Sequence, residues 1–211
     1  MKKLFLASEI NVVSKHIAKK LDKPISNYRG VFISTAGEPE TGSKQWMKDN
    51  KQGLIDIGLN VFDYTITGKK PKDIEKDLKD VNWIHVNGGN TFYLLLQARK
   101  SGFDKFIKKA VEKDIIYTGS SAGSIITSPN IEIARILERK SYEKELKTFE
   151  GFNLVDFIIL PHWGSSGFKS GYRLKRLKTA YKPKNKIILL NDNQYIYVEN
   201  DMYKIIDTRL D

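Results

Sequence analysis

The stretch Ile115-Ile116-Tyr117-Thr118-Gly119-Ser120-Ser121-Ala122-Gly123-Ser124-Ile125-Ile126 runs from a β-like apolar segment through two glycines into an apolar helical start. A Gly-x-Ser-x-Gly pattern between a buried strand and a helix is the context of a nucleophile elbow, a sharp turn that pushes one hydroxyl out at the C-terminal edge of a sheet. Such a turn brings backbone close on both sides, so Gly119 and Gly123, which lack a Cβ, fit where other residues clash. The spacing of the two glycines selects Ser121 over Ser120 as the exposed hydroxyl. The helix N-terminus that follows is expected to help bind developing negative charge.

Outward from this turn, short apolar runs alternate with helical patterns. Strands are predicted at Lys3 to Ala7, Gly30 to Thr35, Val61 to Thr65, Trp83 to Val86, Ile115 to Thr118, Phe157 to Leu160, Ile187 to Leu190 and Tyr195 to Val198. Tyr203 to Ile206 completes a terminal hairpin across Glu199-Asn200-Asp201. Helices are predicted at Asn11 to Leu21, Ser43 to Ile57, Pro71 to Leu78, Thr91 to Lys100, Phe103 to Glu112 and Gly171 to Tyr181. This alternation predicts an α/β fold with a mainly parallel sheet. No repeat or linker divides the 211 residues, so one domain over 1–211 is expected. The charged stretch from Ile131 to Gly151 breaks the alternation and reads as a lid or an inserted hairpin.

Composition narrows the chemistry. With no cysteine there is neither a disulfide framework nor a thiolate nucleophile. The net charge of +11 comes from 29 Lys and only 7 Arg, spread along the chain. Specific nucleic-acid readers cluster Arg with aromatics on one element, so this charge is read as a diffuse, solubilising one. The apolar run after Met1-Lys2-Lys3 is too short for a signal peptide, and no stretch has the length of a membrane span. The expected setting is the cytoplasm, without membrane or nucleic-acid partners.

A second glycine turn, Val86-Asn87-Gly88-Gly89-Asn90-Thr91-Phe92, also joins a strand to a helix. Gly88 and Gly89 leave backbone N–H groups free to face an anion, and Asn90 or Thr91 can cap the helix. Beside an elbow, such a loop supplies an oxyanion hole, with one N–H from Gly89 and one from Ala122. Neither a dinucleotide glycine pattern nor a P-loop ending is present.

Of three histidines, His16 falls among lysines in the first helical pattern and reads as a solvated surface residue, while His85 lies inside a strand and reads as structural. His162 ends the apolar run Phe157-Ile158-Ile159-Leu160-Pro161 and should emerge at the same sheet edge as Ser121, which makes it the expected general base. For the acid that orients it, Glu132 after the elbow helix and Asp192 after the strand Ile187 to Leu190 both remain open, as does a backbone carbonyl or water. No His/Asp/Glu group has metal-ligand spacing, so neither metal nor organic cofactor is expected.

The turns Asn87-Gly88-Gly89-Asn90-Thr91-Phe92 and Gly119-Ser120-Ser121-Ala122-Gly123, followed by Leu160-Pro161-His162-Trp163, together resemble the peptidase S51 family, which includes the aspartyl dipeptidase peptidase E and cyanophycinase. The resemblance runs from the first strand to about Asp192. It implies a class I glutamine amidotransferase-like (flavodoxin-like) α/β/α sandwich with serine at the elbow. It also implies Ser121 as nucleophile, His162 as its histidine, Gly89 and Ala122 as oxyanion donors, and Glu132 or Asp192 as the acid. The basic segment Tyr172-Arg173-Leu174-Lys175-Arg176-Leu177 falls where relatives that cleave after an N-terminal aspartate resemble this chain in an arginine-containing helix after the histidine, so Arg173 is expected to pair with a substrate carboxylate or else to belong to a solvated basic helix face. The expected activity is hydrolysis of small acidic peptides, dipeptides with N-terminal Asp, by a monomer or homodimer. An esterase or other acyl hydrolase on the same fold, or a ligand-binding homologue without catalysis, are the alternatives.

Overall fold

The computed structural model describes residues 1–138, 142–168 and 186–210. Nine strands and six α-helices lie in that part of the chain: β1 (Lys3–Ala7), α1 (Ile10–Ala18), β2 (Arg29–Ile33), α2 (Gln45–Asp56), β3 (Asn60–Tyr64), α3 (Pro71–Asp77), β4 (Trp83–Val86), α4 (Thr91–Ser101), α5 (Phe103–Val111), β5 (Ile116–Ser120), α6 (Ala122–Ile125), β6 (Ile158–Leu160), β7 (Ile187–Leu189), β8 (Gln194–Glu199) and β9 (Met202–Asp207). The helix predicted at Gly171 to Tyr181 lies outside the described residues.

The main sheet has strand order β3-β2-β4-β5-β1-β8-β9. Its first five strands pair in parallel, and β8 and β9 add an antiparallel hairpin at the β1 side. Strand alternation divides the core into two layers. Leu4, Leu6, Val31, Ile33, Ile84 and Val86 face one way and pack with Leu94, Leu95 and Ile107 of α4 and α5. Phe5, Ala7, Phe32 and Trp83 face the other way, against Ile10, Val13, Ile17 and Leu54 of α1 and α2. Helices thus cover both faces of a mainly parallel sheet, the three-layer α/β/α arrangement expected from the sequence.

Local signals set the helix ends. Asn90 caps α4 by accepting the Tyr93 amide at 2.9 Å, and Gly102, at φ 78°, ends α4 and starts α5.

Two features depart from the sequence reading. Strands β6 and β7 pair in parallel as a separate two-stranded sheet. The charged stretch after α6 forms no hairpin among the described residues; it makes two 3₁₀ turns, Glu132–Ile136 and Glu143–Glu145, with an antiparallel bridge between Asn130 and Glu150. Its apolar side chains Ile131, Ile133, Ala134 and Ile136 join the core, and Arg99 of α4 holds its far end through Thr148 and the Glu150 carbonyl.

Candidate active site

Strand β5 lies between β4 and β1, so the turn after it sits between the loops that follow both neighbours. At that turn Ser121 takes φ 50° and ψ −108°, a conformation that a non-glycine residue holds only when its surroundings enforce it. The surroundings are specific. The Ser121 amide donates to the Ala7 carbonyl at 3.0 Å, Ser124 Oγ donates to the same carbonyl at 2.7 Å, and Tyr117 Oη donates to the Gly123 carbonyl at 2.6 Å. Ser120 is buried, and its hydroxyl donates to the Ser8 carbonyl at 3.1 Å, which leaves Ser121 as the hydroxyl that reaches the site.

The glycines of the elbow have a measurable reason. A Cβ on Gly123 would lie 1.8 Å from the Val86 carbonyl oxygen, and one on Gly119 would lie 2.5 Å from the Gly123 carbonyl oxygen. Gly89, at φ 128°, has no room either, because a Cβ there would lie 2.1 Å from the Ala36 carbonyl oxygen. Gly88 borders Ser121 directly: its absent Cβ would stand 3.2 Å from Ser121 Cβ. The amides of Gly88, Gly89 and Ala122 meet no hydrogen-bond acceptor among the described residues. The helix after the elbow is only four residues long, so any help to an anion comes from amides of its first turn and not from a long helix dipole.

His162 is 3% exposed and takes φ 60°. Its Nε2 is 3.0 Å from Ser121 Oγ, and its Nδ1 is 2.8 Å from Asp192 Oδ1. Glu132 is placed otherwise: its Oε1 meets Arg135 at 2.8 Å on the 3₁₀ turn, and the carboxylate hydrogen-bonded to His162 is that of Asp192. Arg173 lies outside the described residues. Among the described residues, no group of three His, Asp or Glu could hold a metal ion.

The other histidines divide. His85 is wholly buried in β4, with Nδ1 3.0 Å from Thr118 Oγ1 and Nε2 3.4 Å from Asn87 Oδ1. Burial pushes it down to about 3, so it is neutral, and it joins the network beneath the glycine loop in which Asn50 Nδ2 also donates to Asn87 Oδ1. His16 corrects the surface expectation: it is 9% exposed, and its Nδ1 is 2.8 Å from Tyr195 Oη of β8. The lysines around it mark the outer face of α1, whereas His16 itself looks onto the sheet.

Sequence reasoning missed the segment just after β1. Ser8 Oγ donates to the Leu190 carbonyl at 2.9 Å and accepts the His162 amide at 3.1 Å, tying the histidine backbone to the chain that leads to Asp192. Glu9 follows, with Oε1 3.7 Å from His162 Nδ1. Burial, above all, raises the Glu9 carboxyl above its ordinary value. The strand order alone, with β1 next to β5, was the signal that could have found both.

Comparison with known proteins agrees with this geometry. The profile of peptidase family S51 matches residues 4–206. An uncharacterized peptidase of Listeria monocytogenes is 31% identical over 213 residues, covering 100% of both chains. A peptidase E of Salmonella newport is 28% identical over 178 residues, 81% of this chain and 72% of the relative. A 1.5 Å crystal structure of a Listeria monocytogenes protein provisionally assigned as a peptidase E superposes with a TM-score of 0.88 at 28% identity, covering 98% of each chain. The chain therefore belongs to peptidase family S51, and it is a hydrolase of peptide bonds of the serine type.

Proposed function

We propose that the protein hydrolyses small peptides, dipeptides with N-terminal Asp, through a Ser121-His162-Asp192 triad and an acyl-enzyme. The observation that carries this reading is the unbroken line from Ser121 Oγ to His162 Nε2 at 3.0 Å and from His162 Nδ1 to Asp192 Oδ1 at 2.8 Å. That line matches what the chemistry requires. With the Nδ1 proton donated to Asp192, the free lone pair on Nε2 takes the hydroxyl proton as Ser121 Oγ bonds to the scissile carbonyl carbon.

The carbonyl oxygen then carries negative charge, to which the amides of Gly89 and Ala122 donate hydrogen bonds, with Gly88 keeping the loop against Ser121. The imidazolium of His162 passes its proton to the leaving amine as the C–N bond breaks, releasing the C-terminal fragment. Water next attacks the acyl-enzyme, His162 taking its proton and returning it to Ser121 Oγ, which frees the acid product. The preference for an acidic substrate rests on the similarity of the Arg173 segment to that of aspartyl dipeptidases and on the net charge of +11, which favours encounter with anions. The setting consistent with this role is the cytoplasm, and no described helix is long and apolar enough to cross a membrane.

The test is release of free amino acid from dipeptides beginning with Asp, Glu, Asn or Ala, by the wild type and by Ser121→Ala. Release confined to Asp substrates and lost in the variant is the expected result. A folded wild type that cleaves none of the four overturns the dipeptidase reading.

A further inference from the structure

Glu9 occupies the N-cap position of α1, yet its side chain makes no capping hydrogen bond. Ser, Thr, Asp and Asn are the side chains that cap well, and the glutamate here supplies no capping bond to the helix. Its carboxylate is instead drawn into the site: it lies 3.7 Å from His162 Nδ1, on the imidazole edge that also meets Asp192 at 2.8 Å. Partly burying a carboxylate costs solvation, and among the described residues the group that gains from its charge is the imidazole, 3.7 Å away.

We propose that Glu9 is a positioning residue for His162, a second carboxylate that shares the Nδ1 edge with Asp192 and stabilises the imidazolium formed when Ser121 gives up its proton. This role rests on the serine-peptidase reading above. Among the described residues, the charged groups facing Glu9 are His162, Asp192 and, from α2, Asp49. Only His162 can carry positive charge among them, so the sign is set: removing the Glu9 charge disfavours imidazolium, and His162 loses its proton at lower pH.

The experiment compares wild type with Glu9→Gln, reading the pH profile of kcat/KM on an Asp dipeptide and, independently of turnover, the imidazole titration of His162 by NMR in the resting protein. In Glu9→Gln the imidazole midpoint and the acid limb are both expected to move down by about half a unit to one unit. The kcat is expected to fall roughly tenfold with KM within about twofold, a share of what general acid–base catalysis contributes. Glu9→Asp, which keeps the charge, should restore most of the midpoint; should Glu9→Gln fail to fold, Glu9→Asp serves alone, with a smaller downward shift expected. An unmoved imidazole midpoint in a folded variant overturns the proposal, because a merely structural Glu9 would leave it in place. A wild type that cleaves no dipeptide but whose imidazole midpoint responds to Glu9→Gln would sink the substrate reading and keep the coupling of Glu9 to His162.

Discussion

His162 Nδ1 and Asp192 Oδ1 lie 2.8 Å apart although 30 residues separate them in the chain. The parallel pairing of β6 with β7 brings this about, because Leu160 pairs with Leu189 and the two strands end side by side. The pairing continues past the strands, the Leu190 amide donating to the Leu160 carbonyl and the Trp163 amide to the Leu190 carbonyl, each at 3.0 Å. Asp192→Asn keeps the shape of the contact but favours the tautomer with the proton on Nε2, where it blocks the base. The expected loss in kcat is roughly a hundredfold to ten-thousandfold with an unchanged melting temperature. Glu132→Gln, which removes a half-exposed pair with Arg135, should leave kcat within about twofold and stability within about 1 kcal/mol. Steady-state kinetics on the two variants checks both, and the reverse ranking would exchange the roles of the two acids.

Ser8 deserves a variant of its own because one buried hydroxyl accepts the His162 amide and donates to the Leu190 carbonyl, with the Asn191 carbonyl also within 3.2 Å. Ser8→Ala leaves these groups without that partner in a fully buried site, which should cost about 1–3 kcal/mol in urea unfolding. It should also release the backbone that holds His162 at φ 60°, so kcat is expected to fall more than KM rises. Lower stability with kcat intact would mean that the strained histidine backbone does not depend on this hydroxyl.

Gly123 and Gly167 make a controlled pair. A Cβ on Gly123 would overlap the Val86 carbonyl oxygen at 1.8 Å, backbone against backbone with no flexible side chain to move aside. Gly123→Ala should therefore destabilise by about 3 kcal/mol or more and displace the elbow. Among the described residues, nothing lies within 4 Å of a Cβ on Gly167, so Gly167→Ala should stay within about 0.5 kcal/mol of wild type. Thermal melts of both are sufficient; equal shifts would contradict the close approach at the elbow.

Much of this was legible before any coordinates, for a physical reason. The elbow, the glycine loop and the helix boundaries are written in contiguous residues whose glycines, caps and apolar periods act locally, and Thr91 and Phe103 start α4 and α5 where the pattern predicts. What stayed hidden depends on strand order. Glu132 and Asp192 could not be ranked because neither is near His162 in sequence, and only the pairing of β6 with β7 separates them. Ser8 and Glu9 carry no local signal, because β1 becomes part of the site only by lying next to β5. His16 was misread because its neighbours are lysines, while the hydroxyl that receives it belongs to Tyr195, 179 residues away.

Glu138 gives the last prediction, a pH dependence of stability. Its carboxylate accepts the Thr91 amide at 2.6 Å at the start of α4, the helix that follows the glycine loop, and burial pushes its carboxyl up from 4.5 to about 8. The folded protein thus keeps this proton up to about pH 8, whereas the unfolded chain releases it near 4.5. Between those values the folded state binds more protons than the unfolded one, so the contribution is full below 4.5 and declines as pH rises through the window to about 8. The decline should amount to a few kcal/mol at most, on the order of 1.4 kcal/mol for each unit of the shift and less where the site relaxes. Glu138→Gln has no proton to lose and retains a carbonyl for the Thr91 amide, so its unfolding free energy should fall less between pH 5 and pH 8 than that of wild type. Urea titrations of both proteins at the two pH values measure the difference, and parallel pH dependences would show that Glu138 ionises in the fold as readily as in the unfolded chain.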